Sequence, residues 1–170
     1  MKNGSEMDIP RLLLMRHAKS DWSDAGLDDH KRPLNRRGRH DAPRMADWVG
    51  QLGDLPDRIL CSTATRARQT VDALVDRWDP SVDVIHTDEL YLASPAGILG
   101  VIADSAGDAE TLMVVGHNPG MATLASLLAG RPLEMPTAAI AVYSRSASTW
   151  DQIRDGGDVR CIGWMKPKAL

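Results

Sequence analysis

The sequence predicts an α/β protein, a three-layer α/β/α arrangement around a mostly parallel central sheet. Three observations carry the prediction. Short apolar runs at Leu12–Met15, Arg58–Cys61 and Thr111–Val115 each end abruptly in polar residues. Segments with helical spacing of apolar residues alternate with such runs. No repeat, low-complexity linker or composition break interrupts the alternation. Alternating strands and helices satisfy their apolar faces best as a parallel sheet covered on both sides.

The elements follow in order. Residues 1–10 are expected to be a flexible start, and residues 11–170 a single domain. Leu12–Met15 reads as a buried strand that delivers Arg16 and His17 at its C-terminal end. The stretch from Ala18 to Arg37 lacks periodicity and is expected to be a long loop, of the kind that often carries function. Asn35 is a candidate N-cap for a helix that uses Ala42, Met45, Ala46, Val49 and Leu52, and Gly53 stops it. Arg58–Cys61 is a second strand, running into Ser62 and Thr63. A helix with Ala67, Val71, Leu74, Val75 and Trp78 on one face comes next, and Val82–Ile85 is a third strand. Pro95–Ala103 reads as a short helix and Thr111–Val115 as a fourth strand, ending in Gly116-His117-Asn118-Pro119-Gly120. Leu124, Ala125, Leu127 and Leu128 form the face of a helix closing near Gly130. Ala138–Tyr143, a segment around Trp150 and Val159–Trp164 are expected as later strands, some of them at a sheet edge.

Composition narrows the function. The chain has 170 residues and a formal net charge of -3, which argues against a bulk nucleic-acid surface. Positive charge is local instead, at Lys31-Arg32, Arg36-Arg37-Gly38-Arg39 and Arg66-Ala67-Arg68. Such clusters suit an anionic ligand or are simply solvated. Two cysteines, Cys61 and Cys161, without metal-ligand spacing, predict free thiols in a reducing compartment. The first ten residues hold no apolar stretch, and no run approaches membrane-spanning length. A cytoplasmic protein with no membrane or nucleic-acid partner is expected.

Ligands of open parallel sheets bind beyond the carboxyl ends of the strands. Arg16-His17, Ser62 through Arg66, and Gly116-His117 would converge there. Two imidazoles, two guanidiniums, hydroxyls and helix N-termini form a set suited to phosphate. A neutral imidazole, with an ordinary pKa of roughly 6.5, is a competent nucleophile towards phosphorus. Attack would give a phosphohistidine intermediate that water then hydrolyses. Arg16, Arg66 and His117 would stabilise the charge on the non-bridging oxygens. Lys19 and Arg32 are candidate further phosphate or substrate contacts, with a solvated loop position as the alternative. Three of the four main residues also have a structural alternative. His17 could be a satisfied core histidine, His117 a helix cap, and Arg66 a surface helix residue paired with Asp72 or another acid. His30, His40 and His86 have no partner motif and read as structural or exposed, Asn118 as a turn residue, and Cys61 as a buried small hydrophobe.

Taken together, Arg16-His17-Ala18, Ser62-Thr63-Ala64-Thr65-Arg66-Ala67-Arg68-Gln69-Thr70 and Gly116-His117-Asn118-Pro119 resemble the motifs of the histidine phosphatase superfamily. The Arg-His-Ala form, Arg32-Pro33-Leu34-Asn35 and the ending at Trp164-Met165-Lys166-Pro167 are similar to its SixA-like phosphohistidine phosphatase branch. The resemblance covers nearly the whole chain beyond the first ten residues. It implies a phosphoglycerate mutase-like fold, His17 as the phosphorylated nucleophile, a phosphate pocket of Arg16, Arg66 and His117, and no metal or organic cofactor.

Two departures bear on the chemistry. Ala18 stands where the larger superfamily has Gly. The general acid that many members carry after the third strand has no clear counterpart in Thr87-Asp88-Glu89-Leu90-Tyr91-Leu92-Ala93-Ser94, leaving Asp21, Asp88 and Glu89 as weak candidates. An alkoxide leaving group gains about 10²–10⁴-fold from such an acid. The imidazole of a phosphohistidine can be protonated before its bond breaks. The expected substrate is therefore phosphohistidine on a signalling protein, and a short chain with little room for a lid would leave the site open to it. A small phosphorylated molecule on the same machinery is the alternative, and a non-catalytic phosphate-binding module is the alternative of another class.

Overall fold

The structure is a computed structural model and describes residues 9–53, 55–78, 81–146, 149–155 and 159–170. The expected flexible start, residues 1–10, falls almost wholly outside the described residues. Six strands form one sheet in the order β3-β2-β4-β1-β5-β6. They are β1 (Arg11–Arg16), β2 (Arg58–Ser62), β3 (Asp83–Thr87), β4 (Thr111–Gly116), β5 (Ile140–Arg145) and β6 (Val159–Met165). The first four run parallel, β5 runs antiparallel to β1, and β6 antiparallel to β5.

The short apolar runs become strands because both of their faces are buried. In β1, Leu12 and Leu14 point to one core, Leu13 and Met15 to the other, and all four are fully buried. Strand β4 repeats the pattern with Leu112 and Val114 against Met113 and Val115. Helices α1 (Arg36–Gln51) and α2 (Thr65–Val75) cover one face. Helices α3 (Pro95–Ser105) and α4 (Gly120–Ala129) cover the other. The result is the expected three-layer α/β/α fold.

Local signals set the helix ends. The Asn35 side chain accepts from Gly38 N at 2.9 Å, which caps α1. Gly53 has φ +88°, a conformation that costs glycine little, and lies just past the end of α1. Two expectations need correcting. The segment around Trp150 is not a strand: Trp150 is buried in a bend, its Nε1–H donates to the Ala109 carbonyl, and a short 3-10 helix (Asp151–Asp155) follows. Leu127 does not join the buried face of α4 but is 67% exposed.

The long loop between β1 and α1 is pinned at its base. Ser20 bridges Leu34, Asp21 N donates to the Pro33 carbonyl, and Asn35 N donates to the Lys19 carbonyl. Gly38 makes this possible, since a Cβ there would lie 2.2 Å from the Lys19 carbonyl oxygen. The loop therefore returns across the C-terminal ends of the parallel strands.

Candidate active site

Register brings the two motif histidines together. Arg16 is paired with Gly116 in the β1–β4 ladder, so the next residues, His17 and His117, leave the sheet side by side. Their ring centroids are 5.0 Å apart. Strand β2 lies on the other side of β4 and ends in Ser62, from which α2 starts within three residues. Arg66, in the first turn of α2, reaches back over both rings.

Hydrogen bonds fix the chemical state of His17. Its Nδ1 is 2.7 Å from the Ala18 carbonyl, which can only accept, so Nδ1 carries the proton. Nε2 keeps its lone pair, and Arg66 Nε–H donates to it at 3.2 Å. The main chain of His17 is held on both sides: its N–H donates to the Gly116 carbonyl, and its carbonyl accepts from Ala138 N. Ala18 N donates to Thr70 Oγ1, whose hydroxyl donates to the Arg66 carbonyl. Thr70 thus ties the loop after His17 to the helix that carries Arg66.

His117 takes the opposite tautomer. Arg66 Nη2–H donates to its Nδ1 at 3.3 Å, so Nε2 carries the proton and donates to Ser62 Oγ at 2.7 Å. Burial pushes both imidazoles down, His17 to about 4 and His117 to about 3. For His117 the neighbouring His17 and the Arg66 charge add to the effect, and for His17 the two arginines do. Both rings are neutral at neutral pH, as a nucleophile requires.

The guanidiniums complete the anion site. Arg66 is 4% exposed, so it is no surface residue, and the acid it pairs with is Asp29 rather than Asp72. Its Nη1 donates to the Asp29 carbonyl at 2.6 Å and its Nη2 to Asp29 Oδ2 at 2.9 Å. Arg16 donates from Nη1 to the Met135 carbonyl at 3.2 Å. Burial and the nearby Arg66 charge lower the pKa of Arg16. Two like charges held together in a half-buried place favour an anion between them. A cavity of about 150 Å³ lies here, lined by Arg16, His17, Lys19, Arg66 and His117 with Ser20, Trp22, Leu92, Asn118 and Thr137.

All five expected site residues line this one cavity, and Arg32 does not. Arg32 is buried under the exposed Trp22, 4.1 Å from the ring centroid, and donates to the Asp24 carbonyl. Trp22 and Leu92, 58% and 55% exposed, flank the cavity mouth. Asn118 lines the cavity yet spends its amide on the Met135 carbonyl and Ala122 N, as a turn residue would. Cys61 is fully buried and burial pushes its thiol up to about 12, which fits a small hydrophobe.

Three residues beside the cavity carry no motif: Asp29, Tyr91 and His30, the last of them expected to be structural or exposed. Asp29 receives Arg66 and also the Tyr91 hydroxyl, at 2.6 Å. Burial would raise its pKa, but the bonds from Tyr91 and Arg66 with the Arg66 charge outweigh that and hold the carboxyl below its ordinary value. Tyr91 packs edge-on against both His117 and His30, at 5.4 and 4.8 Å. His30 in turn is 2.9 Å from Thr63 Oγ1. No motif marked Asp29, Tyr91 or His30, because their links are spatial, across 33 to 62 residues. None of the candidate acids lines the cavity: Asp21 accepts from Ser23, Asp88 accepts from the Thr63 hydroxyl, and Glu89 lies in a short 3-10 helix (Asp88–Leu90). Among the described residues no group of three or more His, Cys, Asp or Glu is placed to hold a metal ion, and no helix is long and apolar enough to cross a membrane.

A sequence model of the histidine phosphatase superfamily (branch 1) matches residues 12–91. An uncharacterized protein of Mycobacterium tuberculosis is 37% identical over 165 residues, covering 91% of this chain and all of that protein (100%). The solved structure of SixA from Agrobacterium tumefaciens, a proposed phosphohistidine phosphatase, is 31% identical with a TM-score of 0.79, covering 94% of this chain and 99% of that one. Its counterpart from Nakamurella multipartita is 27% identical with a TM-score of 0.80, covering 93% and 96%.

Proposed function

The chain belongs to the histidine phosphatase superfamily, and from that premise we propose that it is a metal-independent phosphohistidine phosphatase acting on a protein substrate. His17 is the nucleophile in this reading, and residues 11–170 form one catalytic domain. Its Nε2 lone pair forms a bond to phosphorus while the bond from phosphorus to the substrate's ring nitrogen breaks. The departing imidazole leaves with a proton it already carries. Water then attacks phosphorus, the His17–phosphorus bond breaks, inorganic phosphate departs, and the proton from water passes to solvent. Arg16, Arg66 and Lys19 bind the phosphoryl oxygens throughout, where donors fixed in advance lower the barrier, and His117 joins them once its proton sits on Nδ1 and Nε2 accepts from the Ser62 hydroxyl.

One observation carries the choice of substrate. Among the described residues, the cavity lining includes no carboxylate. Asp29, which bonds to Arg66 of the lining, is held ionised by Arg66 and Tyr91 and so has no proton to give. An alkoxide would leave such a site poorly, whereas a protonated imidazole needs no donor. The exposed Trp22 at the mouth offers a face on which a leaving imidazole can stack. The free thiols of Cys61 and Cys161 suit the cytoplasm, where phosphorylated signalling proteins would be met.

The test compares a histidine-phosphorylated protein with simple phosphate monoesters. Phosphohistidine should be cleared much the faster, with and without a chelator. Efficient monoester hydrolysis with phosphohistidine untouched would favour a small-molecule phosphatase instead. His17→Ala should lose turnover and the acid-labile phosphoenzyme together, and undiminished hydrolysis would remove His17 from its role.

A further inference from the structure

We propose that the groove beside the catalytic cavity, walled by Arg37, Arg44, Lys166 and Lys168, docks an acidic segment of the protein that presents the phosphohistidine. The proposal rests on the phosphohistidine reading above. The groove has a volume of about 320 Å³ and shares Thr137 with the catalytic cavity. Arg37 Nη2 donates to Thr137 Oγ1 at 3.3 Å, so the groove begins where the phosphate cavity ends. A chain with its phosphoryl group in the cavity would cross Thr137 within a few residues, at about 3.3–3.6 Å per extended residue.

Parts remote in sequence build the groove. Helix α1 gives Arg37, Asp41 and Arg44, whose spacing places them on one helix face. The residue after β6 and the short 3-10 helix that follows (Pro167–Ala169) give Lys166, Pro167 and Lys168. The segment before β5 gives Glu134 and Pro136. Asp41 is buried between the two arginines, 4.0 Å from Arg37 Nε and 3.7 Å from Arg44 Nη1, and holds them side by side. Lys166 and Lys168 have no ion pair among the described residues, and the Lys166 ammonium sits 5.2 Å from the Trp164 ring centroid.

The groove thus gathers four cations against two carboxylates on a protein whose net charge is -3. A local positive field on an acidic protein selects anionic partners and speeds their encounter. The four cations are not a second phosphate pocket, which would need buried and oriented donors. Arg37 and Lys168 are exposed, so they read charge spread along a segment rather than one oxyanion. Pro136 and Pro167, which have no N–H to satisfy, give the groove apolar walls.

The test uses the double variant Lys166→Glu/Lys168→Glu, which leaves the catalytic cavity untouched. Wild type and variant are assayed at low salt on free phosphohistidine and on an acidic protein phosphorylated on a surface histidine. The variant should keep its kcat/KM on free phosphohistidine within about twofold, while its KM for the acidic protein rises about tenfold at unchanged kcat. Added salt should erase the wild type's advantage on the protein. An unchanged KM for the acidic protein would overturn the groove and leave the phosphohistidine reading standing. A wild-type enzyme that cleaves neither phosphohistidine substrate would overturn both. Activity of the variant on free phosphohistidine reports that it has folded.

Discussion

At the scale of single residues, the site is governed by which groups are kept neutral and which are kept charged. His17 and His117 are held well below the ordinary imidazole pKa, at about 4 and about 3. Between those values and 6.5 the unfolded chain binds protons that the folded chain does not, so stability rises with pH through that window. The urea midpoint should therefore fall between about pH 7 and about pH 4.5, and fall less in His17→Asn. A midpoint independent of pH there would contradict two neutral buried rings. Tyr91 has no motif behind it, yet its hydroxyl is half of what orients the Asp29 carboxylate. Such a bond to a charged group is worth about 1.5–3 kcal/mol, less where solvent reaches it, so Tyr91→Phe should lower kcat/KM about tenfold. A loss expressed as altered pH dependence, with the protein fully folded, would mark Tyr91 as a positioning residue. Full activity in Tyr91→Phe would show Asp29 to be indifferent to it. The contrast between the two groups of residues is physical. Arg16, His17, Arg66 and His117 sit where apolar runs stop, and a run stopping is visible along the chain. Asp29 and Tyr91 sit in segments without periodicity, and only folding brings them within 2.6 Å.

At the scale of elements, the strands were legible because four of them are buried on both faces and leave continuous apolar runs. Asn35 was legible as a cap because its side chain does chemistry on its own neighbours. The Trp150 segment was not. A buried indole flanked by polar residues reads the same in a strand and in a bend, and its anchor, the Ala109 carbonyl, is 41 residues away. Helix α1 offers two substitutions that separate stability from activity. Asn35→Ala removes a cap and should cost about 1 kcal/mol while leaving kcat unchanged. Gly38→Ala drives a Cβ against the Lys19 backbone, which has no flexible side chain to give way. It should cost about 1–3 kcal/mol and also slow the reaction, because Lys19 lies two residues from His17. Denaturation curves with single-substrate kinetics on both variants check this, and equal kinetics would show that the approach of α1 does not set the loop.

At the scale of the whole molecule, the site exists because three parallel strand ends, one helix start and one long loop meet on a single rim. An oxyanion that mimics phosphate, such as tungstate, should bind the folded form alone and raise its melting temperature. At a hundred times its Kd the gain is about 2.7 kcal/mol, and Arg16→Ala should lose most of it. No shift in the wild type would mean that the rim does not bind phosphate. The bond from Arg66 to the free nitrogen of His17 has a further consequence. Without a ligand, that nitrogen is already shielded by a donor, and the same guanidinium is occupied by Asp29. In the proposed reaction an entering phosphoryl group would share this guanidinium with Asp29. A singly charged visitor has nothing to offer that Asp29 does not already provide, while a doubly charged phosphoryl group does. In the proposed reaction, a phosphoryl group that draws the guanidinium onto itself would also free the His17 lone pair, so the ring would stay masked until the group it is to attack has arrived.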